Sequence, residues 1–491
     1  MSHDRLGGLD AAFLCMEHAE SPMHVGGLAV FRSEHPVQPL PLIKLLARRA
    51  TGIHRLRRRV RYEWPTGVAR WVPDDEFDVS LHIHAHRPDD RGGRQCLEDL
   101  AASLMASPLD PTRPLWEIHL ITGCADGQFA VLLKLHHAMA DGISAMQITL
   151  GLLDGERGTV PHAEPAPANR PLVARATGLL SDPGRLVGIV AKLPAQLPRA
   201  FDDARAGLAI AYDVLRETRL PPVRSAVAAA TGTGRRFTTV TLSMNEVRQA
   251  RRAHGGTAND VLLATLTGAF RSWLISRRRR TTTTPLRALI PVSTRARTVD
   301  AENGNQLSGY LCDLPIDVSD PVARLQLVRA QMDASKAAGP YRGAGALPLL
   351  AARLPFALHY LMGPLVSRSA PLLFDTVITN VPMPSVFHSL AGAELLEIVP
   401  IVPLPRGHGL GIAMIAYRGS IHIGLHADGE AVPALDRLAA MIPESLQALS
   451  QCKRSDGGNK RQTPAGDFKA VLPALKSPSD LVSLPAPAGL R

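Results

Sequence analysis

Hydrophobic and polar positions along the chain either alternate with the period of two of a strand or recur at the three-to-four spacing of a helix. Two stretches with this mixed pattern flank a polar, proline-rich one. In the first stretch, residues 22–31 (PMHVGGLAVF) predict a strand, and residues 40–51 predict a helix through Leu42, Leu45 and Leu46. Residues 70–79 predict strand, and residues 97–106 a helix with Leu97, Leu100, Ala101 and Leu104 on one face. Residues 117–122 and 129–136 predict a hairpin with Asp126 and Gly127 at its turn, and residues 142–153 a helix.

Residues 155–170 (GERGTVPHAEPAPANR) predict a linker, followed by apolar and basic helical segments over 173–215. The second mixed stretch opens with FTTVTLSMNEV at 237–247, a predicted strand, then a helix over 257–277 and a strand over 286–292. Strands at 376–379, 410–417 and 420–425 and a closing helix at 432–446 complete it. The expected fold class is α/β, in two similar mixed-sheet lobes. The expected division is an N-terminal lobe at 1–153, a linker and connecting helices at 154–235, a C-terminal lobe at 236–451 and a disordered tail at 452–491, rich in Pro, Ser, Gly and Lys.

At 491 residues, with 45% hydrophobic and 20% charged side chains, the chain has the balance of a folded protein, which excludes disorder throughout and a lone small binding module. Its net charge of +11 draws it to polyanions: nucleic acid, acidic lipid headgroups or a phosphate-bearing cofactor. Aromatic residues, at 4%, are too scarce for the stacking platforms of single-strand binders, and no nucleic-acid-binding motif is present. The basic runs at 55–61 and 277–280 therefore read as solvated faces or as attraction to phosphate or membrane. Five scattered cysteines without a CxxC pair encode neither a disulfide framework nor a thiolate metal site, which fits a reducing, cytoplasmic compartment. The N-terminus carries acidic residues inside its short apolar stretches and does not read as a signal peptide. The most apolar region, 344–366, is interrupted by Arg353, His359 and three prolines, so it falls short of the roughly 20 residues of a spanning helix.

The strongest chemical signal is VLLKLHHAMADGISAM at 131–146. His136 and His137 end an apolar strand and, by strand alternation, point to opposite faces, so only one can enter a given cleft. Asp141 and Gly142 then start a helix, the aspartate near its N-terminus and the glycine permitting a tight approach. A neutral imidazole is well placed to take a proton from a hydroxyl near neutral pH. An Asp-Gly pair is also a common turn or cap, and paired histidines can be simple strand-end residues. Asn259 and Asp260, at the start of a helix after two glycines, are open to a capping reading or to a place at the site. His82, His84 and His86 alternate on one strand face, but at about 7 Å apart they could hardly close on a single metal ion, and no metal site is expected. No GxSxG elbow, Walker A or Rossmann glycine pattern is present.

His136 to Gly142 resemble the HHxxxDG signature of the bacterial wax ester synthase/acyl-CoA:diacylglycerol acyltransferase family, within the chloramphenicol acetyltransferase-like superfamily. The opening LGGLDAAFLCMEHAESPMHVGGLAVF, RPLWE at 113–117, AND at 258–260, PVSTR at 291–295, GNQ at 304–306 and TNVPMP at 379–384 resemble that family in the same order. The resemblance covers residues 6–448 and implies two lobes of chloramphenicol acetyltransferase-like type with the active channel at their interface. It implies transfer of a long-chain acyl group from acyl-CoA to diacylglycerol or a long-chain alcohol, with His137 as general base and no covalent acyl-enzyme. His136, Asp141, Gly142 and Arg295 would support the site, Arg295 as partner of Asp141, and Asn259 and Asp260 would line the substrate channel. Acyl-CoA would be a co-substrate, with no permanently bound cofactor, no metal and no nucleic acid. The protein would work in the cytoplasm, held peripherally at the inner membrane face or on lipid droplets. Esterification of polyketide-type alcohols by a related acyltransferase, and a catalytically silent lipid-binding or droplet protein, are the alternative readings.

Overall fold

An apolar run such as FAVLLKLH, apolar at successive positions, marks a strand covered on both faces, and the computed structural model places it at the centre of a six-stranded sheet. The structure describes residues 4–63, 68–88, 93–125, 127–154, 218, 225–228, 234–279, 281, 286–293, 307–338, 370–384 and 386–452. The expected linker and helical segments at 155–215, the apolar region 344–366, GNQ, Arg295 and the tail beyond 452 lie outside them.

The first half contains β1 (Asp4–Arg5), α1 (Gly8–Met16), β2 (His24–Arg32), α2 (Pro39–Thr51), β3 (Arg58–Glu63), β4 (Val68–Pro73), β5 (Ile83–His86), α3 (Gly93–Ala106), β6 (Trp116–Ala125), β7 (Gln128–His136) and α4 (Gly142–Leu152). The second half contains β8 (Arg235–Ser243), α5 (Met244–His254), α6 (Ala258–Ser276), β9 (Leu286–Ser293), β10 (Leu307–Leu314), α7 (Pro321–Ala338), β11 (Thr376–Val381), β12 (Ser389–Leu390), β13 (Ala393–Ile401), β14 (Leu410–Tyr417), β15 (Ser420–Asp428) and α8 (Leu435–Gln451). Residues 244–247, expected to continue a strand, instead start α5, because the Ser243 hydroxyl accepts from the Asn245 N–H at 3.2 Å and caps it.

Two mixed sheets result, in the orders β12-β13-β2-β7-β6-β5 and β10-β9-β11-β14-β15-β8, with a small sheet β1-β4-β3 beside them. Within the first, β5 runs parallel to β6; within the second, β11 runs parallel to β9 and β14. The basic run at 55–61 supplies β3, where Arg58 donates to the Trp71 carbonyl and Arg59 lies 3.5 Å from Asp74. At the tip of the β6–β7 hairpin, Gly127 has φ +68°, and a Cβ there would press to 2.9 Å on the Ser33 carbonyl, so the turn requires glycine on both counts.

The sheets do not divide where the sequence suggests. Strands β12 and β13, from the stretch assigned to the C-terminal lobe, belong to the first sheet, β13 pairing antiparallel with β2 from Glu394 opposite Arg32 to Ile401 opposite Gly26. Pro400 is tolerated there because β12 pairs only with Ala393 and Glu394, leaving that edge of β13 without a ladder to break. β13 also packs on β14 and β15 of the second sheet, so closely that a Cβ at Gly424 would come within 2.3 Å of the Pro400 carbonyl. Apolar residues of both halves accordingly mix: Val381, Ile415 and Tyr417 sit in the core under the first sheet, and Phe237, Val399 and Ile401 pack with Leu97, Ala101 and Met105 of α3. A buried carboxylate joins the same surfaces: Glu98 of α3 accepts from the Thr238 hydroxyl at 3.1 Å and from the Thr239 N–H at 3.1 Å.

Buried histidines make this fold sensitive to acid. Burial, with the charge of Arg235, pushes His426 down to about 4 against the opposing pull of the Val402 carbonyl, and burial with Lys134 takes His24 to about 4. In the unfolded chain a histidine takes up its proton near 6.5, so between about 6.5 and 4 the unfolded state binds more protons and stability falls as pH falls. Each such histidine contributes a slope of up to about 1.4 kcal/mol per pH unit in that window. Denaturant unfolding at pH 7, 6 and 5 should show this loss, and His426→Gln should flatten it; an unchanged slope in the variant would contradict the assignment. A second expectation concerns α4, whose N-cap is Asp141: its Oδ1 accepts from the Ser144 N–H at 2.8 Å. Asp141→Ala should lower stability by about 1 kcal/mol or more, and Asp141→Asn by less, since asparagine caps nearly as well; thermal unfolding of both variants measures the difference.

Candidate active site

β7 ends at His136, and the chain leaves the sheet through HAMAD before α4 begins. This loop is fixed by backbone hydrogen bonds: the His137 N–H donates to the Met23 carbonyl at 2.7 Å and the Met139 N–H to the His136 carbonyl at 2.9 Å. Ala138, Met139 and Ala140 are buried beneath it, so the apolar residues between the signature positions anchor the turn.

The two histidines have different surroundings. His136 is fully buried, its Nδ1 accepts from the Ala138 N–H at 3.0 Å, and its Nε2 lies 3.3 Å from Glu17 Oε2. An acceptor Nδ1 places the ring proton on Nε2, facing the carboxylate. His137 is only partly buried, and its ring stacks on Phe13 of α1 at 4.0 Å between centroids with 22° between planes. His136 thus has the environment of a held structural group, while His137 is less enclosed and has an aromatic support.

A polar stripe continues from His136 across the α3 side of the first sheet. His24, paired with His136 in the β2–β7 ladder, approaches the Met105 carbonyl through Nδ1 at 2.9 Å and Glu17 through Nε2 at 3.7 Å. Burial raises the Glu17 carboxyl, but the His136 hydrogen bond, the charges of His136 and His24 and the Met23 N–H together hold it below its ordinary value. Farther along, the fully buried Lys134 ammonium lies 2.9 Å from Glu117 Oε2, which His119 Nε2 approaches at 3.2 Å. Burial works against the Glu117 carboxylate, yet His119 and Lys134 bring it down to about 2, so the pair stays ionised in the interior.

The expectation that His82, His84 and His86 share a strand face is corrected. His82 precedes β5 and stacks on Trp116 at 4.5 Å, with Nδ1 2.8 Å from the Trp116 carbonyl. His84 and His86 instead flank His119, and His86 Nε2 meets His119 Nδ1 at 3.0 Å. Trp116 itself is a packing residue, buried and donating its indole N–H to the Leu56 carbonyl at 2.7 Å. Among the described residues no group of three or more His, Cys, Asp or Glu could hold a metal ion.

Asp141 caps α4, and Gly142 beside it faces Val381 of β11, the valine of TNVPMP. A Cβ at Gly142 would make only an ordinary 3.5 Å contact there, so the close approach expected of this glycine is not to a neighbouring part of the chain. The structure therefore brings HHxxxDG of the first half against TNVP of the second. Asp260 is buried and forms a reciprocal capping box with Thr257: the Thr257 N–H donates to Asp260 Oδ2 at 2.7 Å and the Asp260 N–H to the Thr257 hydroxyl at 3.2 Å. Asn259 is half-buried next to it, and Arg295 lies outside the described residues. Phe13, Glu17 and His24 neighbour the histidine pair; they lie in the opening segment that resembles the family, but no reading of the sequence singled them out individually. The four-residue spacing of Phe13 and Glu17, one helical turn, was the available signal, but nothing local ties it to residues more than a hundred positions away.

With this geometry established, comparison with known proteins identifies the family. Residues 6–262 match the wax ester synthase/diacylglycerol acyltransferase catalytic domain, and residues 303–450 the C-terminal domain of the same family. The probable diacylglycerol O-acyltransferase tgs1 of Mycobacterium tuberculosis is 31% identical over 454 residues, covering 91% of this chain and 96% of that protein. The probable diacylglycerol O-acyltransferase tgs2 of the same organism is 32% identical over 461 residues, covering 90% and 98%. Among solved structures, the wax ester synthase/diacylglycerol acyltransferase from Marinobacter aquaeolei VT8 superposes with a TM-score of 0.63 at 24% identity, covering 91% of this chain and 98% of that one. The mixed two-sheet architecture is that of the chloramphenicol acetyltransferase-like fold, and with both domains matched in order the chain belongs to the wax ester synthase/diacylglycerol acyltransferase family of acyltransferases.

Proposed function

We propose that the protein transfers a long-chain acyl group from acyl-CoA to the hydroxyl of diacylglycerol, forming triacylglycerol, and to long-chain alcohols, forming wax esters. The observation that carries this reading is His137: a half-buried imidazole just beyond the end of β7, inside HHxxxDG and stacked on Phe13, beside the fully buried His136. His137 takes the proton of the acceptor hydroxyl as the oxygen attacks the thioester carbonyl. The C–O bond forms, the C–S bond breaks, and the proton passes to the departing coenzyme A thiolate, so no acyl-enzyme is needed. The family membership and the naming of its relatives as diacylglycerol O-acyltransferases support the acceptor.

In this reading His136 and Asp141 hold the loop, Arg295 is the partner of Asp141, and Gly142 starts α4 where it meets β11. Asp260 acts by fixing the start of α6, with Asn259 presented beside it at the channel between the lobes. The channel admits acyl-CoA from one mouth and the lipid acceptor from the other, across lobes whose division falls at 153 and 236 except for the exchanged strands β12 and β13. Acyl-CoA is a co-substrate, and the reaction as written uses no bound metal or cofactor.

The decisive assay is thiol release from palmitoyl-CoA with and without dioleoylglycerol or hexadecanol. Release that depends on either alcohol is expected; release indifferent to both would remove the acyltransferase reading in favour of a silent lipid-binding protein. His137→Ala should lower turnover by about a hundredfold or more, the usual scale of general-base contributions, and His136→Ala should lower it less. Equal, mild losses at both positions would contradict His137 as base.

The water-insoluble acceptor and the net charge of +11 support work at an anionic surface, the inner membrane face or a lipid droplet. No helix of the described residues is long and apolar enough to cross a membrane. Surface charge reaches only about 10 Å at 0.1 M salt. A high-salt wash should therefore release much of the protein from membranes in active form; retention through both salt and alkaline carbonate would contradict peripheral attachment.

A further inference from the structure

We propose that Phe13 is a positioning residue for the general base, its ring supporting the imidazolium that His137 becomes as it accepts the hydroxyl proton. The inference rests on the reading of His137 as base and adds a residue to it.

The contact is face to face, with ring centroids 4.0 Å apart and planes inclined by 22°. A neutral imidazole gains little from such a neighbour beyond contact, whereas a cation over the negative face of a phenyl ring is attracted to it. The stack therefore strengthens as His137 acquires charge, so it favours the transition state over the ground state and acts on turnover more than on binding. It also limits rotation of the ring, which holds the proton-accepting nitrogen in one direction.

Phe13 is well held for this task. It sits in α1, whose entry is fixed by the Gly7 N–H donating to Asp10 Oδ2 at 3.2 Å and by the burial of Asp10. Its ring packs on the core beneath the first sheet. One turn later the chain presents Glu17, whose Oε2 faces Nε2 of His136 at 3.3 Å. The two adjacent histidines are thus both reached from one short segment, Phe13 supporting the reactive ring and Glu17 its neighbour. Any movement of α1 alters the site through side chains separated by a single turn.

The experiment compares Phe13→Leu, Phe13→Tyr and His137→Ala, alone and with Phe13→Leu added to His137→Ala, using palmitoyl-CoA and dioleoylglycerol as substrates. Leucine keeps an apolar contact but lacks an aromatic face, so kcat should fall by about threefold to thirtyfold, the range of a cation–π contact. KM for palmitoyl-CoA should stay within about twofold, since binding precedes proton transfer. Phe13→Tyr should retain most of the turnover, because the ring face remains. In the double variant Phe13→Leu should cause no further loss, because its effect passes through His137. Wild-type kcat for Phe13→Leu, equal losses in the leucine and tyrosine variants, or a full additional loss in the double variant would each overturn the role of Phe13 while leaving His137 as base. Wild-type turnover in His137→Ala would overturn the assignment of the base itself, and the role of Phe13 with it.

Discussion

The antiparallel pairing of β13 with β2 is the constraint on which the arrangement of the site depends. β13 is hydrogen-bonded into the first sheet and pressed on β14 and β15 of the second, so a single strand fixes the two sheets relative to each other. The same β2 pairs on its other edge with β7, whose last residue is His136. The histidine loop is thus one strand removed from the seam, and its position relative to the second half follows from backbone ladders and not from flexible side chains. Gly424 permits a close approach there, where any side chain would press on the Pro400 carbonyl.

Polar groups at this seam are placed so that each buried charge has a partner. Glu98 is held by two threonines of β8 and by Arg94, which also binds Glu397 on β13, so three elements meet around a pair of carboxylates. Lys134 and Glu117 neutralise each other inside the first sheet, and Glu17 lies between His24 and His136. Breaking such a pair leaves a charge in the interior, which costs more than the intact pair contributes. The consequence is a paired, buried polar floor under the loop that carries the half-buried His137.

Burial also separates the roles of chemically identical side chains. His24, His136 and His426 are enclosed and bonded to carbonyls, carboxylate or backbone N–H, and serve as shaped hydrogen-bonding groups. His137, one residue from the most enclosed of them, has an aromatic face and partial exposure. The difference arises where the chain leaves the sheet: His136 is the last residue of β7, and His137 is the first of the loop that follows.

By itself the sequence determined the elements whose periodicity is strong and local: β2, α2, α3, the β6–β7 hairpin, α6, β14 and the length of apolar strand that ends at the histidine pair. It also carried the signature that names the chemistry. What it could not show were relations between distant segments. β13 contains Glu394, Glu397 and Pro400, a composition that gives little strand signal, and only its ladder with β2 and its packing on the second sheet place it. The irregularity between Thr122 and Ala125 shifts the hairpin register so that Lys134 meets Glu117; without it Lys134 would face His119, and no local pattern announces that shift. Phe13 and Glu17 meet the histidine pair only because α1 is brought to the end of β7. Local propensity acts over a few residues, whereas the ion pairs, the ring stack and the exchanged strand are set by packing across the whole chain, which is why the tertiary structure alone decided them.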